Sequence, residues 1–255
     1  MTGASSGIGA EFARQLAARG LSLILVARRR DRLDALAAEL VAKHGIEVVV
    51  SERDLVAPGA VDALVADVGE RDLGLLVNNA GFGLKGPFFE LALSEQRRMI
   101  ELNCQVPMAL THTLGKRLLA RKRGGIVFVA SGAAFQGMPG TALYAATKSF
   151  DLLLGEGLWG ELRTTGVDVL TLCPGSTDTE GPKRTGVKSE RVPGGMMKVE
   201  PVVRAALDGL GRRVSVIPGG LNRAAQFLTR FLPRSVSTRM AGRMIERVTR
   251  PDSPS

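Results

Sequence analysis

Two side chains in this 255-residue sequence are spaced for proton chemistry. Tyr144 and Lys148 stand four apart in the stretch YAATK, which puts them on one face of a helix. An ammonium beside a phenol favours the phenolate. A tyrosine tuned in this way can protonate a carbonyl oxygen, or take the proton of an alcohol in the reverse direction. Alone, the pair is no more than an ordinary helical surface pair, because four-residue spacings are common.

A second group lies near the N-terminus. Gly3, Gly7 and Gly9 fall in TGASSGIG, ahead of a helical pattern that runs to Arg19. Glycines allow positive φ and let backbone N–H groups approach a pyrophosphate at a helix N-terminus. Ser5 and Ser6 add hydroxyl donors. The spacing is G-x-x-x-G-x-G, not the commoner G-x-G-x-x-G, so by itself it is also compatible with a tight turn packing a helix on a sheet. Arg28 follows the next apolar run, with no acid between Leu21 and Arg30. An acid there would hold a ribose 2′-hydroxyl, whereas an arginine can hold a 2′-phosphate. Arg28, Arg29 and Arg30 also read as a solvated charge run. Their place beside a nucleotide crevice favours NADP(H) over NAD(H).

These residues need a scaffold, and six strand-like runs supply one: 21–26, 46–50, 75–77, 126–129, 167–172 and 214–217. Each is almost wholly apolar, as expected of strands buried on both faces of a parallel sheet. Helical patterns separate them, for example Leu33, Leu36 and Leu40 with Arg32, Asp34 and Glu39 facing outward. Alternating β and α units predict an α/β fold, a doubly wound Rossmann-type parallel sheet with helices on both faces. The sequence reads as a single domain over 1–255, with a helical C-terminal extension from about residue 200. Only Met1 and Thr2 precede the glycine turn, so the first strand is truncated. A central strand pairs on both sides, and its loss predicts two unpaired ladders unless a longer N-terminus supplies it.

Composition narrows the function classes. The net charge of +9 is uneven, because residues 201–255 hold ten Arg, no Lys and three acids. Basicity confined to the tail, with 4% aromatics, argues against a general nucleic-acid-binding domain. Cys104 and Cys173 are too few for a disulfide framework and fit reduced thiols of a cytoplasmic protein. His44 and His112 are isolated, and no metal cluster is expected.

The chain resembles the classical short-chain dehydrogenase/reductase family. The resemblance rests on TGASSGIG, Asp54-Leu55, NNAG at 78–81, Asn103, Ser131, YAATK at 144–148 and the Pro174-Gly175…Thr179 segment, in that order over about residues 2–180. It implies a catalytic tetrad of Asn103, Ser131, Tyr144 and Lys148. It also implies a cofactor cleft. Gly3, Ser5, Ser6, Gly7, Ile8 and Gly9 would face the phosphates, and Asp54 and Leu55 the adenine. Asn79, Ala80 and Gly81 would line the cleft, Pro174, Gly175 and Thr179 would hold the nicotinamide end, and Tyr144 and Lys148 would touch the cofactor too. Ser131 would orient the substrate oxygen. Pro107, four residues after Asn103, removes the usual helical partner of the Asn103 carbonyl and predicts a bend that frees it.

Phe82, Phe135 and Met138, with Ser131 and Tyr144, are the expected substrate contacts, and Leu84, Phe88 and Leu143 extend an apolar wall. The stretch 180–199 resembles the family's mobile substrate loop, with Met196 and Met197 as adaptable contacts. The expected substrate is a small-molecule ketone or aldehyde, or its alcohol, of apolar or acyl type. Alternative readings are a non-catalytic NADP(H) sensor and a basic-tail interaction protein. The tail places Leu221, Ala224, Ala225, Leu228, Phe231 and Leu232 at helical spacing among arginines. Such a helix can cover the protein's own pocket or a subunit interface, or make peripheral contact with an anionic membrane. The family resemblance implies a homodimer or homotetramer through helices around 98–122 and 142–163.

Overall fold

The computed structural model describes residues 1–250; the last five residues of the predicted domain and tail, 251–255, lie outside the described residues. Ten helices and six strands alternate through most of the chain among the described residues. The strands are β1 (Leu23–Ala27), β2 (Val48–Glu52), β3 (Leu75–Asn78), β4 (Gly124–Val129), β5 (Val167–Leu172) and β6 (Ser215–Val216). Each coincides with an expected run, give or take two residues. β2 lies parallel to β1, and β3, β4, β5 and β6 pair in that order, all parallel.

Between β1 and β3 runs a two-residue stub, Met1 and Thr2, with Thr2 bridging Val26 in parallel. Val26 N–H donates to the Met1 carbonyl (3.0 Å), Ala4 N–H to Val26 (3.2 Å) and Thr2 N–H to Val77 (3.0 Å). The Met1 nitrogen donates to Ile24 (2.9 Å). The ladders on either side are therefore paired at the carboxyl end of the sheet, which is the end that carries the glycine turn. In sheets of this kind ligands bind outside the carboxyl ends of the strands, at the point where strand order reverses. Here that point is the stub.

The sheet is buried on both faces, and the alternation of side chains along each strand sorts them between two cores. Val77, Val127, Val129, Leu170 and Leu172 pack with Phe12 and Leu16 of α1 (Gly7–Ala17), Leu33, Leu36 and Leu40 of α2 (Arg30–His44), and Val202, Val203 and Ala206 of α8 (Val199–Gly209). Leu76, Ile126, Phe128 and Val169 point the other way, onto α3 (Ala60–Val68), α5 (Val106–Arg121) and α6 (Ala142–Leu162). α6 lies close on β5: a Cβ at Gly155 would stand 2.0 Å from Thr171 Oγ1. That approach anchors the helix bearing Tyr144 and Lys148. The remaining helices are α4 (Leu93–Ile100), the short α7 (Glu180–Arg184), α9 (Gly220–Thr229) and α10 (Arg234–Thr249).

Candidate active site

The glycine turn is fastened from three directions. Asn79 Nδ2 donates to the carbonyls of Thr2 (3.0 Å) and Gly3 (3.1 Å). The Thr2 hydroxyl accepts from the N–H groups of Asn79 (3.1 Å) and Ala80 (3.0 Å). Gly3 and Gly7 have φ of 67° and 54°, in the left-handed region that disfavours any side chain. A Cβ at Gly9 would lie 2.1 Å from the Gly3 carbonyl oxygen, and one at Gly7 would lie 2.8 Å from Thr179 Cγ2. Thr179 thus lies over the turn. Ser6 precedes α1 without a side-chain cap, so the first-turn N–H groups around Gly7, Ile8 and Gly9 keep no intrahelical partner. This is a cradle for an anion.

The arginine beside the cradle is not the expected one. Arg28 is exposed, and no hydrogen bond or ion pair joins it to another described residue. Its neighbour Arg29 reaches Ser5 Oγ (3.0 Å) and Ser6 Oγ (2.8 Å) and pairs with Glu180 of α7 (2.8 Å). Arg32 and Arg184 also pair with Glu180, and the hydrogen bonds from Arg32 and Arg29 hold its carboxyl below the ordinary value. Arg29, Arg32, Glu180, Lys183 and Arg184 surround a hollow of about 440 Å³. Three arginines share the Glu180 carboxylate, while Lys183 pairs with Asp178 (3.0 Å), which leaves an excess of positive charge beside the cradle. The donor set fits a dinucleotide carrying a further phosphate. Asp54 is held by Arg98 (2.8 Å), and the adjacent Leu55 is buried.

The four expected catalytic residues come from three segments. Asn103 sits in one turn of π-helix, Glu101–Gln105, between α4 and α5. Its amide donates to the Phe82 carbonyl (2.9 Å) and Thr147 Oγ1 (3.0 Å), and its Oδ1 accepts from Phe82 N–H (3.1 Å). Pro107 follows this turn in an unbroken helical run, Gln105 and Val106 both being helical, so its missing N–H falls inside the run and not at a free helix start. The irregularity expected at the proline is therefore the π-turn before it, a feature frequent at functional sites. Ser131 lies two residues past the end of β4 and caps the 3₁₀ turn Gly132–Phe135, its Oγ accepting from Ala133 N–H (3.1 Å). Tyr144 and Lys148 share one face of α6, with Tyr144 half-buried and Lys148 buried. Gly81 and Gly83 give them room: a Cβ at Gly81 would stand 3.4 Å from Lys148 Nζ, and one at Gly83 would stand 3.1 Å from Tyr144 Cδ2.

Lys148 Nζ donates to the Val129 carbonyl (2.8 Å) and to Asp151 Oδ2 (2.9 Å). Burial opposes its charge, but the Asp151 carboxylate and the nearby Tyr144 outweigh burial and hold the ammonium above its ordinary value. Burial raises Asp151 in turn, against the pull of Lys148. Sequence reasoning missed Asp151. Its signal was an acid one helical turn beyond Lys148 in the apolar stretch SFDLLL.

On the substrate side the structure divides the expected wall. Phe82 and Met138 are half-buried, and Phe82 backbone is tied to Asn103. Phe135 packs against the small core of Ala130, Ala134, Leu152 and Cys173. Leu143 lines a separate apolar hollow of about 400 Å³ with Ile100, Met108 and Phe150, on the outer face of α5 and α6. Phe88 is exposed and stacks edge-on with Phe89. Gly175 lies against Asn222 of α9, and Pro174 accepts from Gly132 N–H (2.8 Å), so the strand end after β5 is knitted to the Ser131 loop. Among the described residues no group of three metal-ligating side chains is found.

The family model of the short chain dehydrogenases matches residues 1–189. The 1-deoxy-11-beta-hydroxypentalenate dehydrogenase of Streptomyces exfoliatus is 35% identical over 83% of this chain and 78% of its own. The 7beta-hydroxysteroid dehydrogenase of Clostridium sardiniense is 28% identical over 96% of this chain and 94% of its own. A short-chain dehydrogenase from Sphingobium yanoikuyae, solved in complex with NADPH, superposes with a TM-score of 0.79 at 34% identity, over 92% of this chain and 95% of that one. With its glycine cradle, its Tyr144–Lys148 helix and these likenesses, the chain belongs to the short-chain dehydrogenase family of oxidoreductases.

Proposed function

We propose that this chain is an NADPH-dependent carbonyl reductase for bulky apolar ketones or aldehydes, interconverting them with their alcohols. The observation that carries the reading is the Lys148 ammonium, buried, held by Val129 and Asp151, and one helical turn from Tyr144. A bound nicotinamide supplies the hydride. The chain's own residues manage the proton. The Tyr144 hydroxyl gives its proton to the carbonyl oxygen as that oxygen gains charge. The Lys148 ammonium stabilises the phenolate that remains. Ser131 donates to the same oxygen and fixes its direction, and Asn103 holds the Phe82 backbone at the wall of the cleft.

The preference for NADPH is supported by the excess of cations around Arg29 and by the NADPH complex of the Sphingobium relative. The apolar substrate is supported by Phe82 and Met138 on the cleft side and by two relatives named for hydroxyl groups on a steroid and on a deoxypentalenate. The exposed apolar hollow around Ile100, Met108, Leu143 and Phe150, with Leu153 beside it in α6, supports assembly as a homodimer or homotetramer through α5 and α6. The test is to mix the protein with NADPH or NADH and a panel of cyclic and long-chain ketones, following loss of reduced-nicotinamide absorbance. Turnover of bulky ketones with NADPH well ahead of NADH is expected; turnover confined to small keto acids, or faster with NADH, overturns the reading.

A further inference from the structure

α9 is mounted the wrong way round for a helix of a soluble core. Its polar residues face inward: Gln226 Nε2 donates to the Gly132 carbonyl (3.1 Å), and Asn222 Nδ2 reaches Met197 Sδ (3.2 Å) and lies against Gly175. None of its residues is buried. Its apolar residues face solvent, with Leu221 63%, Phe227 59% and Leu228 62% exposed, and Phe231 in the turn after it 72% exposed. Phe227 and Phe231 stack edge-on at 5.2 Å and form a ridge. A contiguous apolar surface of this kind marks an interaction site.

Charge identifies the occupant. Residues 209–245 contain seven arginines and no acidic residue. Arg223 and Arg230 border the Phe227 edge of the helix and Arg234 opens α10, all exposed, with no ion pair to another described residue. A second copy docked through a two-fold axis would set this patch against itself and bring like charges together. A nucleic acid would satisfy the arginines but leave Leu221 and Leu228 against a polar backbone. A bilayer with acidic headgroups satisfies both parts, taking the leucines and phenylalanines at the acyl boundary and the arginines at the phosphates.

We propose that α9 and the turn to Phe231 form a docking surface for anionic membranes. The helix hangs on the 3₁₀ turn that follows Ser131, so docking brings the substrate side of the site to the lipid surface. The inference rests on α9 and its charges and stands apart from the proposed activity.

The test is co-sedimentation of the full chain with vesicles of phosphatidylcholine alone or mixed with phosphatidylglycerol, at low and high salt. Binding to the mixed vesicles, little to phosphatidylcholine alone, and release as salt rises are expected. Phe227→Ser with Phe231→Ser should weaken binding about tenfold or more, and Arg223→Gln with Arg230→Gln likewise. Both double variants should keep the parent's thermal midpoint, because the altered side chains are exposed. The proposal is overturned if the parent chain ignores acidic vesicles, or if both variants bind them as well as the parent does. It is also overturned if the lipid-free parent is a dimer in sedimentation velocity that the phenylalanine variant dissociates, since the patch would then belong to a second copy.

Discussion

The Lys148 ammonium lies 2.9 Å from the Asp151 carboxylate, and both side chains are buried. The groups facing this pair are Tyr144 and Cys104, and Asp151 Oδ1 has no hydrogen-bond partner among the described residues. Asp151 therefore sets how strongly Lys148 holds its proton. In the fold the Lys148 value is raised, so its stabilising contribution is complete below the ordinary lysine range and is lost as pH rises through the raised value. Asp151→Asn removes the balancing charge and leaves burial to act. The alkaline limb of the kcat/KM profile should move to lower pH, while the hydrogen-bonding shape of the side chain is kept. Asp151→Val removes the partner altogether and should cost about 3–5 kcal/mol, read in urea melts. An unchanged alkaline limb in the Asn variant would show that Asp151 is structural only.

Arg29 and Arg28 separate by the same kind of measurement. Arg29 touches both serines of the glycine turn, whereas Arg28 faces solvent. Arg29→Gln should weaken NADPH about tenfold or more, the worth of one charge-assisted phosphate contact, and leave NADH nearly unchanged. Arg28→Gln should change both far less. Glu180→Gln frees Arg29 from its carboxylate and should tighten NADPH. Nicotinamide fluorescence titrations read all three.

Gly9→Ala would bring a Cβ within 2.1 Å of the Gly3 carbonyl oxygen, so the turn must shift. The expected result is a loss of about 1–3 kcal/mol of stability from overpacking, together with loss of cofactor binding. Gly157 has open space around it, and Gly157→Ala should keep binding and raise the melting temperature slightly.

Burial pushes the Cys104 thiol up to about 11 and the Cys173 thiol up to about 12. Thiolate is the reactive form. Iodoacetamide at neutral pH should leave both unmodified in the folded protein and label both after denaturation, as mass spectrometry would show.

The strands were legible because each is an apolar run buried on two faces, and the helices because their apolar spacing faces the sheet. As a candidate set, Tyr144, Lys148, Ser131 and Asn103 were legible from the motifs of the family resemblance and their order along the chain. What was not legible depends on direction. Arg28 and Arg29 are equivalent in a charge run, and only the twist of the chain at the end of β1 decides which one turns toward Ser5 and Ser6. Phe135 and Leu143 are apolar residues between Ser131 and Tyr144, yet one packs on a core and the other on the outer face of α6. Pattern marked the tail as amphipathic but could not say that α9 turns its polar side inward.

The most direct test of the account is Tyr144→Phe, assayed for NADPH binding and for ketone reduction on the same preparation. The account predicts NADPH binding like that of the parent and turnover reduced to background, because the ring still fits against Gly83 while the proton donor is gone. Reduction at a rate near the parent's would contradict it, and would place the proton transfer on another group.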